Sequence, residues 1–175
     1  MARGPLPERG RSSLLDRLTD DAARQPPDPA ATRGSVRADL RESVRRDLTH
    51  LLNATRLDAA RCLRAWPQVE RSVLNYGLPA LAGVGVAALD VRAFELAIDA
   101  AIRRHEPRVI AATLVVRAID RDGAIGRHNM LSLEISAQIR AQPLPLEMLL
   151  RTEFDLETGR VELAESARRG ASRRG

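Results

Sequence analysis

The chain has 175 residues, enough for one domain that buries a core without disulfides, and 44% of them are hydrophobic. Cys62 is the only cysteine, which excludes an intrachain disulfide and a cysteine-cluster metal site. The formal net charge is +5, all 28 basic residues are arginine, and the low aromatic content disfavours RNA-binding or carbohydrate-binding clefts.

The first 34 residues are polar and contain several prolines and glycines. They hold no apolar core of a secretory signal, and no run in the chain approaches the roughly 20 apolar residues that span a bilayer, so we expect a cytoplasmic protein. We predict a flexible segment over 1–34 with a short helix near 13–19. The apolar residues of that helix are Leu14, Leu15 and Leu18.

A folded domain is predicted over 35–164, and it begins with a helix. Ser35 is a suitable N-cap, and apolar residues then recur every three or four positions, which is typical of one buried helix face. The residues of this stripe are Val36, Leu40, Val44, Leu48 and Leu51. The charged residues that lie off the stripe, and that we expect to be solvated, are Arg37, Arg41, Arg45 and Asp47.

In the region over 53–89, apolar residues do not recur with a regular spacing over any long stretch. It contains a short predicted helix near 70–75 and then a turn-rich motif over 75–79. The residues of that motif are Asn75, Tyr76, Gly77, Leu78 and Pro79. Asp90 is the predicted N-cap of a second long helix. The apolar residues of that helix lie four apart at Phe94, Ile98 and Ile102.

The rest of the chain predicts strands. A β-branched stretch indicates the first, and strict alternation of apolar and polar residues indicates strands with one buried face. The predicted strands cover 109–119, 131–139, 150–156 and 160–163, with a loop beginning at 120–123 and a turn over 157–159. The fold class is therefore α+β, with N-terminal helices packed on one face of a small antiparallel sheet, a β-meander.

The end of the sheet has a predicted role of its own. The last strand is short and adjoins residues 165–175, which we predict to be a disordered basic tail. It is therefore a candidate open edge that accepts a strand from another protein. The pattern does not show which strand lies at the edge.

The sequence carries no spacing that is typical of a catalytic or metal-binding motif. His50, His105 and His128 are far apart and lack the spacing of metal ligands, and no nucleotide-binding loop or nucleophile motif occurs. The carboxylates that fit a glycosidase by residue type alone are Glu70, Asp90, Glu106 and Glu134. Nothing in the sequence marks one of them as a buried acid and another as its ionised partner. We predict no catalytic residue, no metal and no cofactor.

Glu106, Pro107 and Arg108 form a charged corner where the second long helix meets the strands. Proline ends the helix because the residue before it disfavours α geometry. One interpretation is a helix terminator flanked by surface charges. The other is a rigid corner that docks onto a partner protein through charge-assisted hydrogen bonds.

Five pieces of the sequence occur in an order that resembles the TssE family of type VI secretion baseplate subunits. That family is related to the phage baseplate wedge protein that initiates the tail sheath. The pieces cover 13–18, 35–36 with 51–53, 72–79, 106–108 and 154–159, and the resemblance runs from about residue 12 to residue 163. The Asn-Tyr-Gly-Leu-Pro and Glu-Pro-Arg pieces contribute most to it.

The resemblance implies a compact α+β domain without catalytic activity in a baseplate wedge docked near the inner membrane. It implies wedge partners of the TssF, TssG and TssK kind and contact with the sheath proteins TssB and TssC. By the same resemblance, Glu106, Pro107 and Arg108 attach the subunit to the core helical bundle of the wedge, and a sheet edge serves the first sheath ring. Two departures occur: Ala54 is inserted where the family reads Asn-Thr-Arg, and Ala80 replaces an acidic residue.

The expected function is a structural adaptor that links wedge proteins to the sheath and templates sheath assembly. The segment with Leu14, Leu15 and Leu18 is either a second partner contact or a part that packs on its own domain. Two alternatives remain: a basic nucleic-acid-binding module, whose affinity falls steeply with salt, and a peptidoglycan hydrolase. The mixing of arginines with 23 acidic residues along the chain argues against the first.

Overall fold

The computed structural model describes residues 33–57, 63–81, 83, 89–119 and 129–165. Several predictions fall outside these residues. They concern the flexible segment with Leu14, Leu15 and Leu18, the tail after 165, Cys62, His128 and the loop at 120–123. In the part of the chain that is described, no helix combines the length and the hydropathy needed to cross a bilayer.

The first helix, α1, spans Arg33–Asn53. It begins two residues before Ser35, so the prediction of Ser35 as the N-cap is wrong; Gly34 weakens a helix but does not stop it. The apolar stripe is confirmed from Val44 onward, where the stripe residues are buried, whereas Val36 near the N-terminal end of the helix is exposed. The helix therefore packs by its C-terminal half.

Three short turns of helix follow in place of the single one predicted over 70–75. They are a 3-10 turn at Leu63–Ala65, helix α2 at Pro67–Glu70 and a 3-10 turn at Val73–Asn75. Pro67 starts α2 because a proline at the first helical position loses no hydrogen bond. Ser72 separates α2 from the next turn, since its hydroxyl accepts the Leu74 N–H.

The second long helix, α3, spans Val91–His105. Asp90 caps it as predicted, because its carboxylate accepts the Ala93 N–H at 2.9 Å. Its predicted apolar face is buried at Phe94, Ile98 and Ile102. The helix ends one residue before Glu106, whose backbone N–H still donates to Ile102.

The predicted strand over 109–119 is wrong in its first half. Only Val115–Ala118 forms a strand, β1, while Ala111–Thr113 is a 3-10 turn and Val109 makes an isolated bridge to Ile139. The Thr113 hydroxyl donates to the Ile110 carbonyl at 2.7 Å, so a local bond competes with the ladder. β-branched residues alone did not decide this stretch.

The other strands follow the predicted period-two pattern, although the third begins at Leu146, four residues before the predicted start at 150, because residues 146–149 also pair with β2. They are β2 at Met130–Ile139, β3 at Leu146–Asp155 and β4 at Val161–Glu165. The sheet has the order β1-β2-β3-β4 with all neighbours antiparallel, which is the predicted meander. Every second residue of β2 and β3 is buried, so the sheet has one core face and one solvated face.

The helices cover the core face of the sheet, which confirms the α+β class. Phe94 of α3 packs edge to face on Phe154 of β3, with ring centroids 5.1 Å apart. Helix α1 lies beside β4, and α3 lies beside β1. Each long helix thus meets one edge strand, and the corner after α3 comes close to α1.

Candidate partner-binding site at the Glu-Pro-Arg corner

The corner begins where α3 ends. The Glu106 side chain is buried, with 4% of the residue exposed, and Pro107 is exposed beside it. The Val109 N–H donates to the Glu106 carbonyl, and the Arg140 N–H donates to the Arg108 carbonyl at 2.8 Å. These backbone bonds hold the corner between the end of α3 and the end of β2.

Arg108 forms a bidentate pair with Glu106. Its Nε donates to Glu106 Oε1 at 2.7 Å, and its Nη2 donates to Glu106 Oε2 at 2.6 Å. The backbone N–H of Arg108 donates to the same Oε1. The hydrogen bond with Glu106 raises the pKa of the Arg108 guanidinium above its usual value, although burial acts in the opposite direction. The guanidinium thus compensates the buried carboxylate of Glu106 through two hydrogen bonds.

The same guanidinium reaches across to α1. Arg108 Nη1 donates to Ser43 Oγ at 2.9 Å, and Nη2 donates to Asp47 Oδ2 at 2.5 Å. Asp47 also accepts from Arg46. Asp47 lies off the apolar stripe as predicted, but the prediction that it is solvated is wrong, because its carboxylate binds Arg108 and so joins α1 to the corner.

The turn-rich motif lies against this cluster. Asn75 is buried and its side-chain amide donates to the Glu70 carbonyl at 3.0 Å. The Tyr76 ring packs edge to face on His105, with centroids 5.1 Å apart. Burial raises the pKa of Tyr76, and the charges of Asp47 and Glu106 add to this. Burial lowers the pKa of His105.

Gly77 and Leu78 attach the motif to the chain that follows α1. Gly77 has φ +112°, and a Cβ there would lie 2.2 Å from the Ala54 carbonyl oxygen, so only glycine fits. The Leu78 N–H donates to that carbonyl at 2.8 Å, and the Arg56 N–H donates to the Leu78 carbonyl. Leu78 is buried and Pro79 is half-buried. The motif is thus fixed to the chain after α1, and it holds Tyr76 against His105 beside the corner.

Ser43 and Asp47 belong to the corner although sequence reasoning assigned neither to it. They lie four residues apart, so they share one face of α1, and this spacing was the available signal. The spacing alone does not name a partner 61 residues away. Leu14, Leu15 and Leu18, the other predicted contact residues, lie outside the described residues.

The carboxylates considered for catalysis are spread over the fold. Asp90 caps α3, Glu106 pairs with Arg108, and Glu134 faces Arg151 across β2 and β3 at 3.9 Å. Glu70 lies in α2. Within the described ranges, no three side chains of the metal-ligating types come together. The corner is a set of compensated charges, and such a set is suited to holding a fixed shape and to hydrogen-bonding across an interface.

The family model described as baseplate wedge protein gp25 matches residues 38–144, which is more than half of the chain. The chain therefore belongs to the family of baseplate wedge proteins, and this confirms the resemblance drawn from the ordered motifs. The matched residues include α1 from residue 38 onward, the turn-rich motif and the whole corner. No curated protein and no solved structure matches the chain.

Proposed function

We propose that this chain is a type VI secretion member of its family, a non-catalytic baseplate subunit that links the wedge to the contractile sheath. The wedge partners are of the TssF, TssG and TssK kind, and the sheath partners are TssB and TssC. The subunit acts in the cytoplasm, in a complex docked near the inner membrane. The observation that carries the proposal is the Glu106 corner, which lies inside the family match.

The geometry of the corner supports docking by shape. Glu106 is inaccessible, whereas the Arg108 side chain is 24% exposed and Pro107 is exposed. A partner therefore meets Pro107 and the rim of the guanidinium, backed by the buried carboxylate. Rigid presentation lowers the entropy lost on binding, which favours such a site over a loop.

The distribution of charge favours an adaptor over a nucleic-acid-binding module. Many described arginines pair with carboxylates on the same element or a neighbouring one. Such pairs join Arg41 to Glu165, Arg45 to Glu42, Arg92 to Glu95, Arg103 to Asp99, and Arg151 to Glu134. A phosphate backbone would compete with these carboxylates for the guanidinium groups. The segment with Leu14, Leu15 and Leu18 remains part of the proposal as a second contact.

The test is capture of the neighbouring baseplate proteins by the tagged full chain in cells. The variant is Glu106→Gln/Arg108→Gln, which removes both charges together and leaves no buried carboxylate without an opposite charge. The matched control is Glu134→Gln/Arg151→Gln, an exposed pair on the solvated face of the sheet. Circular dichroism and thermal unfolding first establish that each variant is folded.

We expect wild type and the control to capture the wedge proteins and the corner variant to lose them. Capture by all three proteins would support the baseplate function but would show that the wedge contact does not depend on the corner. A folded wild-type chain that captures neither wedge nor sheath proteins would overturn the proposed function.

A further inference from the structure

The short helical turns before the turn-rich motif expose an apolar surface. Trp66, directly before α2, is 65% exposed, and Val73 and Leu74, shortly after α2, are 79% and 66% exposed. Helix α2 has four residues and is therefore about 6 Å long, so these side chains are near neighbours. Apolar side chains exposed together mark a contact surface, and tryptophan is a frequent anchor of such surfaces. We call these three residues the Trp66 surface.

The Trp66 surface is tied to the rest of the domain by hydrogen bonds. The Trp66 N–H donates to the carbonyl of the buried Leu63 at 2.7 Å. The Asn75 side-chain amide donates to the Glu70 carbonyl at 3.0 Å, and Arg104 Nη1 of α3 donates to the same carbonyl at 3.2 Å. The apolar side chains are therefore presented on an ordered backbone, which lowers the entropy lost when they are covered.

Local bonds occupy main-chain donors of this surface. The N–H groups of Glu70, Ser72 and Tyr76 donate to carbonyls three or four residues earlier, and the Leu74 N–H donates to Ser72 Oγ. A segment that covers the surface is therefore held through its side chains. Its own backbone groups must be satisfied within the segment, and a helix meets that requirement.

The charged side chains beside the Trp66 surface favour an acidic segment. Arg71 directly follows α2 and is exposed, and the exposed Arg104 reaches α2 through the Glu70 carbonyl. Among the described residues, no carboxylate forms an ion pair with either guanidinium. The half-buried Glu70 contributes one negative charge, so cations outnumber carboxylates here. Carboxylates on an incoming segment would find two guanidinium groups able to pair with them.

The segment before α1, which lies outside the described residues, has the matching sequence. Leu18 is four positions after Leu14 and three after Leu15, so a helix over 13–19 has these leucines on one face. Acidic residues outnumber basic ones in the stretch over 12–21. The charged residues of that stretch are Asp16, Arg17, Asp20 and Asp21.

The chain between this segment and α1 is long enough for the segment to reach the Trp66 surface. The Tyr76 hydroxyl lies 3.5 Å from the Asp47 carbonyl, and Tyr76 is two residues after Leu74. Asp47 is about 21 Å along α1 from its start at Arg33. Residues 19–32 span about 50 Å at full extension, which exceeds that separation with room for the side chains.

We propose that the helix predicted over 13–19 packs its leucines on the Trp66 surface in the free subunit, with the aspartates of the segment beside Arg71 and Arg104. This inference goes beyond the proposed function, in which the same leucines contact a partner protein. A partner that binds the leucines would uncover Trp66. The contact is reversible, so its loss changes the exposure of Trp66 more than it changes the stability of the domain.

Trp66 is the only tryptophan of the chain, so tryptophan fluorescence reports on this surface alone. The measurement is quenching of the full chain by acrylamide, a neutral quencher, after circular dichroism has established that each variant is folded. The segment variant is Leu14→Ser/Leu18→Ser. Its matched control is Leu6→Ser, which makes the same change outside the predicted helix. A charge variant, Asp20→Asn/Asp21→Asn, removes two of the aspartates.

We expect the quenching constant of the segment variant to be about twofold higher than that of wild type, because quenching follows the fraction of chains in which Trp66 is uncovered. Leu6→Ser should behave as wild type does, and the charge variant should show a smaller rise. A peptide of residues 12–24 added to the segment variant should restore the lower value. The same peptide with serine in place of Leu14 and Leu18 should not.

Equal quenching in wild type and the folded segment variant would overturn the inference, as would an equal rise in Leu6→Ser. No rise in the charge variant would overturn the pairing of the aspartates with the arginines. Quenching of wild type that falls as the protein concentration rises would assign the surface to a second copy of the chain instead. Because the assay uses no baseplate proteins, its failure is distinct from a failure of the proposed function, which is tested by capture.

Discussion

Arg108 Nη2 lies 2.5 Å from Asp47 Oδ2, and this contact joins the corner after α3 to the middle of α1. The same guanidinium holds Glu106, so one arginine bridges a buried carboxylate and a partly exposed one. The side chain of Asp47 is 28% exposed, whereas that of Glu106 is 5% exposed. The corner thus holds α1 and the end of α3 in a fixed arrangement. A partner would therefore bind a surface that is already formed.

Removal of Arg108 alone should be far more costly than removal of both charges. Arg108→Met leaves the Glu106 carboxylate buried without its opposite charge, so we expect the free energy of unfolding to fall by roughly 3 kcal/mol. Glu106→Gln/Arg108→Met should recover at least half of that loss. Urea unfolding of the two variants and wild type measures both effects. Equal losses in the single and double variants would show that the uncompensated charge of Glu106 is not the cause of the loss in Arg108→Met.

Gly77→Ala should destabilise the domain by about 3 kcal/mol or more, because the new Cβ would combine a disfavoured backbone conformation with a collision at the Ala54 carbonyl. Gly83→Ala is the matched control, since Gly83 also has positive φ but no atom of the described residues lies within 4 Å of a Cβ built there. We expect about 1 kcal/mol for the control. Similar losses at both glycines, measured by urea unfolding, would contradict a role for the Ala54 contact.

His105 should make stability depend on pH below about 7. Burial against Tyr76, with the positive charge of Arg104 as a second cause, lowers the pKa of His105 below its usual 6.5 in the folded state. The unfolded chain therefore binds this proton more readily, so the contribution is present above pH 6.5 and is lost as pH falls toward the folded pKa.

The test of that dependence is urea unfolding at several pH values in wild type and in His105→Phe, which keeps a ring beside Tyr76 and cannot titrate. The decline of the unfolding free energy below pH 6.5 should be smaller in the variant. An identical decline in both proteins would assign the pH dependence to other groups.

Substitutions of one buried and one exposed valine should differ in their effect on stability. Val44 on α1 is fully buried, whereas Val73 in the 3-10 turn before the motif is 79% exposed. We expect Val44→Ala to lower the free energy of unfolding by roughly 2 kcal/mol and Val73→Ala to change it by less than about 0.5 kcal/mol. A loss at Val73 as large as the loss at Val44 would contradict the exposed position of this turn.

The amino-acid sequence by itself determined the elements whose residues repeat with a clear period. The alternation over 131–139 predicted β2, the fourfold spacing of Phe94 and Ile98 predicted the buried face of α3, and Asp90 predicted the start of that helix. These signals are local, because side-chain direction follows directly from backbone geometry. The order of helices and then strands was enough for the α+β class.

Only the tertiary structure decided which distant groups meet. The sequence alone indicated that Asp47 is solvated, whereas the structure places Arg108 against it. Asn53 hydrogen-bonds to Val161 of β4 because α1 ends beside that strand. The stretch over 109–119 has residues that favour strands. Its first half nevertheless forms a 3-10 turn, because Thr113 bonds locally to Ile110 and only Val109 pairs with the end of β2. Periodicity shows which side chains of a segment point toward the core. Contacts between distant segments depend on how those segments pack together, and this packing is determined by the whole core.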